Sequence, residues 1–348
     1  MKNGFVRGPT PSPLLWAFFI RFARQRQIKK SRCRFEDFCW GANRLQGLGQ
    51  AARQSVYLPM PLLQFFLSLI KYLWLSKKFR AFRPSVKPAV EWWILGNGPS
   101  LRSMLSEFPE EPENKVFCAV NYFCLSPDFQ RLKPSAYVIG APELTFMDEG
   151  SIPADILANK RRLHQTLQEQ TGWPMLLFVP YPTLQAPSFK ALLGANPNLK
   201  ACGYNATPLE GPAAFCRFAV LNGWGLPRPH NVLIPALAVA IRLGIPQIRL
   251  VGAEHSWLQT LHVDNQNRVM LDHQHFYDAD KQVAHMNHTS FRPRRLHEVL
   301  QKFLYSFQSY WVLADLADKQ GLEILNLTPN SYIDAFKKHA FSHEHFRR

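Results

Sequence analysis

The stretch of this chain best suited to holding an anion or a base is Gly96-Asn97-Gly98-Pro99-Ser100. Glycine tolerates positive φ and lets a ligand approach the backbone, while Pro99 and Ser100 suit the first turn of a helix with free amides. The spacing is not that of a dinucleotide fingerprint. Leu101 stands where the third glycine belongs, and the second strand ends on Asn121 instead of an acid. An asparagine side chain both donates and accepts, which fits a base edge or a sugar hydroxyl. Read alone, the same residues are equally a turn and a cap.

Further polar residues recur in the same kind of place. Asn231 precedes an apolar helical run and is a candidate N-cap whose neighbouring amides could meet a phosphate. Gly252 closes a strand, and Glu254 and His255 follow it. Asn330 and Ser331 sit in a turn after the last strand.

Seven histidines fall between 255 and 297: His255, His262, His273, His275, His285, His288 and His297. His273-x-His275 and His285-x-x-His288 have spacings open to a metal, but neither cysteines nor a His-Glu-x-x-His pattern supports zinc, so no metal is expected. A histidine acting as general base suits a metal-free transfer. Tyr277 shares a short polar segment with His275, Asp278 and Asp280; this Asp-x-Asp follows no clear strand.

These residues need a scaffold, and the apolar pattern from about Val90 supplies one. Runs at 92–95, 116–120, 136–140, 175–180, 247–252 and 322–327 read as strands buried on both faces. They alternate with helical stretches near 101–108, 154–170, 231–243 and 295–319. The pattern predicts an α/β, doubly wound, mostly parallel sheet, in which ligands bind beyond the carboxyl ends of the strands. The polar clusters lie at those ends. Residues 181–230 read as irregular, with a short helix near 212–222. The expected organisation is a basic helical arm over 1–88, a nucleotide-binding domain over 89–340 and a tail over 341–348.

Charge sets the arm apart. Residues 1–90 contain 17 Lys/Arg and two acids, and the rest of the chain contains 24 Lys/Arg against 23 acids. The arm therefore needs an anionic partner. Apolar and aromatic runs beside the basic residues, at 14–20 and 65–74, favour an anionic membrane surface over nucleic acid. Gln64 and Lys71 interrupt the longer run, which argues against a spanning helix, and no cleavage site marks a signal peptide. The expected location is the cytoplasmic face of the inner membrane, peripherally bound. Core packing of the 61–75 segment is the other reading. The six cysteines have no metal spacing, and several lie in apolar runs, so reduced, buried thiols are expected.

Taken in order, strand–Gly-Asn-Gly-Pro-Ser, strand–Asn-x-Phe, strand–Gly-x-Glu, a histidine region and strand–x-Pro-Asn-Ser resemble bacterial sialyltransferases of glycosyltransferase family 42. The opening motif is also similar to Maf-type flagellin glycosyltransferases and the archaeal 6-hydroxymethylpterin diphosphokinase. The Gly252-Ala-Glu-His-Ser-Trp and His275-Phe-Tyr-Asp segments resemble proteins of surface-polysaccharide clusters, such as those for lipopolysaccharide O-antigen or capsule. The likeness spans about 91–336. It implies a Rossmann-like variant of the GT-A fold and inverting, metal-independent transfer of a nonulosonic acid or Kdo-type sugar. The donor would be a CMP-sugar and the acceptor a saccharide or lipid-linked saccharide, with a homo-oligomer possible.

On this resemblance Gly96, Asn97, Gly98, Pro99, Ser100 and Asn121 hold the nucleotide. Asn231, Gly252, Glu254, Asn330 and Ser331 flank it. His275, then His288, then His255 is the candidate base, and Tyr277 assists the leaving group. Ser256 and Trp257 stand where the sialyltransferases have one of their two tyrosines. A pterin diphosphokinase would need ATP and Mg²⁺, and a non-catalytic membrane-bound scaffold of polysaccharide assembly would need neither.

Overall fold

Trp92, Trp93, Ile94 and Leu95 are fully buried, as a strand packed on both faces requires. They form β1 (Glu91–Leu95) at the centre of the sheet in this computed structural model. The structure describes residues 59–77, 91–108, 115–273, 282–285 and 292–342; for 59–62, 272–273 and 282–285 it describes the backbone alone.

Seven further strands join β1: β2 (Lys115–Val120), β3 (Ala136–Val138), β4 (Met175–Pro180), β5 (Leu199–Tyr204), β6 (Gln247–Val251), β10 (Glu323–Asn326) and β11 (Lys337–Lys338). The order is β11-β10-β6-β1-β2-β3-β4-β5, and every pairing in it is parallel. A separate antiparallel ribbon contains β7 (His262–Val263), β8 (Val269–His273) and β9 (Gln282–His285).

Alternate strand residues feed two cores, because successive side chains point to opposite faces. Trp92 and Ile94 pack with the apolar helix α7 (Leu233–Arg242) and with α8 (Leu296–Lys319), beside α6 (Ala213–Leu221). Trp93 and Leu95 pack with α2 (Leu101–Leu105), α3 (Asp128–Leu132), α4 (Ala154–Gln170) and α5 (Pro187–Ala195). The α/β, doubly wound sheet is therefore present. β5, α5 and the β7–β9 ribbon fall where no regular element is legible in the sequence.

Helix α1 (Pro59–Leu75) belongs to the same compact unit as the sheet, although it lies in the segment read as an arm. Ser68 Oγ donates to the Glu210 carbonyl and accepts from the Glu210 amide, both at 2.8 Å. Tyr72 stacks on Trp224 at 4.1 Å, and Asn205 bonds both the amide and the carbonyl of Lys77. At the other end of the chain, Phe341 packs edge-on to Trp93, so the expected tail begins within the core packing.

The chain runs outward from β1 through β5, then returns to lay β6 on the opposite side of β1. The crevice between the carboxyl ends of β1 and β6 is thus the switch point where this architecture binds ligands.

Candidate functional site

Register brings the two glycine turns together. Leu95 pairs with Val251, so Gly96 and Gly252 emerge side by side. The Gly96 amide donates to the Val251 carbonyl and the Gly98 amide to the Gly252 carbonyl, each at 2.8 Å. A Cβ on Gly96 would lie 2.3 Å from the Gly252 oxygen. Gly96 is a spacer that permits this contact, and it does not reach the cavity beyond.

That cavity has a volume of about 420 Å³. Of the residues singled out in the sequence, Asn97, Gly98, Pro99, Asn121, Asn231, Gly252, Glu254 and His255 line it. They come from turns after β1, β2 and β6 and from the start of α7. The opposite wall is α8, through Lys302, Phe303 and Ser306.

Several expected donors are already engaged. The Ser100 amide donates to Glu254 Oε1 at 2.6 Å, so a carboxylate of the protein occupies the place foreseen for a bound anion. Asn231 Oδ1 accepts from the Leu233 amide at 2.9 Å, so an amide that was to face a phosphate is already used. The N-cap of α7 is Val232, one residue later than the expected Asn231, and it makes no side-chain cap bond. Asn121, at φ 43, accepts from the Gly140 amide through Oδ1 at 3.0 Å. The residue itself lines the cavity.

Asn330 and Ser331 lie outside the cavity lining. Ser331 Oγ donates to the Ala253 carbonyl at 2.7 Å and accepts from Asn326 Nδ2 at 2.9 Å. It ties the β10 turn to the β6 turn. His275, Tyr277 and His288 lie outside the described residues, and His273 and His285 are described by backbone alone. Among the described residues no group of three or more His, Cys, Asp or Glu side chains converges as metal ligands.

His255 is the histidine of that region that the cavity does contain. It is buried, in a left-handed conformation (φ 53), 4.0 Å from the Trp257 ring. Its Nε2 is 2.6 Å from the Tyr310 hydroxyl, which is 2.9 Å from Asn231 Oδ1. The Leu233 amide marks Asn231 Oδ1 as an acceptor, so the Tyr310 proton points to it. His255 must then donate through Nε2–H, leaving the lone pair on Nδ1. Burial pushes the His255 pKa down to about 3, and the ring is neutral at pH 7.

The α8 wall adds charge that the sequence reading did not single out. Burial, and next the Arg294 charge, lower the Lys302 pKa. His230 stacks on Tyr305 at 5.6 Å. Burial first, then the charges of Lys302, Arg228 and Arg294, push its pKa down to about 4. Burial is the larger cause in both cases, and Glu143 for Lys302 and Glu210 for His230 act in the opposite direction. The signal available in the sequence was Lys302 and Ser306, one turn apart on the face of α8 that carries Val299, Phe303 and Tyr310.

No protein-family model, no curated protein and no solved structure matches this chain.

Proposed function

We propose that the cavity binds a CMP-activated sugar and that the protein is a metal-independent, inverting glycosyltransferase with a Rossmann-like variant of the GT-A fold. One observation carries this reading. Amide side chains from three separate turns converge at the β1/β6 switch point in a cavity that α8 also lines, through Lys302. Asn97, Asn121 and Asn231 suit the polar edges of a nucleoside, and Lys302 suits its phosphate. The choice of CMP, and of a nonulosonic acid or Kdo-type sugar, rests on the order of motifs in the sequence.

In the transfer, an acceptor hydroxyl oxygen attacks the anomeric carbon while the bond from that carbon to the phosphate oxygen breaks. CMP leaves with the electron pair. The hydroxyl proton passes to a histidine, and His255 Nδ1 is the candidate acceptor within the cavity. A phosphate nearby would raise the low pKa of that ring toward a useful range. Lys302 would stabilise charge on the departing CMP.

Calorimetry on the full chain without metal, comparing CMP with CDP, UDP, ADP and ATP, tests the reading. CMP-selective binding that weakens in Lys302→Met supports it. Preference for ATP with Mg²⁺ points to a diphosphokinase, and no binding by folded protein removes the nucleotide site.

A further inference from the structure

Helix α1 has two unlike faces. One is fixed to the domain through Phe65 on Phe215, Ser68 on Glu210 and Tyr72 on Trp224. The other carries Leu63, Phe66, Leu67, Ile70, Leu73 and Trp74, all exposed, with Trp74 at 84%. Their spacing places them along one side of the helix. A stripe this long and this apolar needs a partner, since scattered exposed apolar residues do not line up in this way.

Further exposed apolar residues lie on the neighbouring helices. α6 lies between α1 and α8, with Phe215 against Phe65 on one flank and Arg217 paired to Asp315 at 2.6 Å on the other. Phe218 projects from α6 and is 51% exposed. On α8, Leu300, Leu304 and Trp311 share an exposed side, with Trp311 at 54%. The first half of this helix also supplies Lys302 and Phe303 to the cavity. The cavity wall and the exposed stripe are therefore adjacent sides of one helix.

We propose that this three-helix face docks on an anionic bilayer surface, with α1 lying in the plane of the interface. Charge complementarity selects the occupant. The α1 sequence has no acidic residue, and Lys77, Lys78, Arg80 and Arg83 follow it within a segment of 17 basic and two acidic residues. Apolar and aromatic side chains beside basic ones match the acyl–headgroup boundary, whereas a second copy of the chain would bring the same positive charge against itself. Among the described residues no helix is long and apolar enough to cross the bilayer, so the helix lies on the membrane. Docking would hold the cavity beside the lipid surface, within reach of a lipid-linked saccharide. The docking itself does not depend on the nucleotide reading.

The test is co-sedimentation of the full chain with vesicles of phosphatidylcholine alone or mixed with phosphatidylglycerol. Binding should require phosphatidylglycerol and fall with salt. The variant Leu63→Ser/Phe66→Ser/Ile70→Ser/Trp74→Ser, whose positions are exposed, should melt like the parent and partition at least about tenfold less. Brominated lipid should quench the parent more than Trp74→Phe. Undiminished binding by the fourfold variant would overturn the proposal and assign membrane affinity to residues outside this face. A parent that ignores vesicles but forms dimers lost in the variant would overturn it in favour of self-association.

Discussion

Glu254 occupies the space that a side chain at position 98 would fill. A Cβ built on Gly98 lies 1.6 Å from Glu254 Oε2, and Glu254 Oε1 accepts from the Ser100 amide at 2.6 Å. The carboxylate is buried in the turn that joins β1 to α2, where it serves the orphan donor at the start of the helix. Two motifs 154 residues apart in the chain thus require each other.

Gly98→Ala should cost about 2–4 kcal/mol, through displacement of Glu254 and a further contact 2.8 Å from the Gly252 oxygen. Glu254→Ala should cost about 1–2 kcal/mol for the lost bond to Ser100. Because the first substitution already breaks what the second removes, the double variant should be less destabilised than the sum by about 1 kcal/mol. Urea denaturation of the four proteins measures the difference, and strict additivity would mean the two residues do not interact.

Lys302 should act on phosphate and not on base. Lys302→Met keeps most of the side-chain volume, so the α8 packing survives. CMP binding should weaken about tenfold, close to 1.4 kcal/mol, while cytidine binding stays within about twofold. Equal loss for both ligands would place Lys302 away from the phosphate.

Much of this was readable from residue order. The buried runs of β1, β2, β4 and β6 stand out because parallel strands covered on both faces leave no polar alternation to confuse them. β5 did not stand out: Leu199-Lys-Ala-Cys-Gly-Tyr204 is an edge strand at the end of the sheet, and its exposed Lys200 and its Gly203 mask the pattern. The site showed the same divide. Asn97, Asn121 and His255 follow strands, and the switch-point rule locates them. Ser331 follows a strand too, yet its hydroxyl serves Ala253, because a motif specifies a turn before it specifies a ligand. Lys302 follows none; the helical spacing puts it on the buried face of α8 with Val299, Phe303 and Ser306, but only the packing of α8 against the sheet brings that face to the cavity.

Acid should destabilise the fold over a defined range. The folded-state pKa of His255 is about 3, below the 6.5 of an exposed imidazole. Between these values the unfolded chain binds a proton that the folded chain does not, so stability falls as pH falls below 6.5 and levels near 3. The slope from this ring alone is up to about 1.4 kcal/mol per pH unit. His230, pushed down to about 4, adds in the same direction over a narrower range. Denaturation series from pH 7.5 to 4.5 should show a shallower slope in His255→Asn than in the parent. Identical slopes would remove His255 as a source of acid sensitivity.

Tyr310 links that histidine to Asn231, and its loss separates positioning from mere packing. The hydroxyl of this fully buried ring accepts from His255 and donates to Asn231 Oδ1. In Tyr310→Phe the ring volume stays, Asn231 retains the Leu233 amide, and His255 Nε2–H loses its acceptor. Stability should drop by about 1–3 kcal/mol, the cost of an unsatisfied buried donor. The more specific readout is the tautomer. Nitrogen shifts of the His255 ring should show Nε2 protonated and Nδ1 bare in the parent, and a mixed population in the variant, because nothing then holds the proton on Nε2. A parent ring protonated on Nδ1 would mean that Tyr310 donates to His255, and it would leave the cavity without the lone pair that a general base requires.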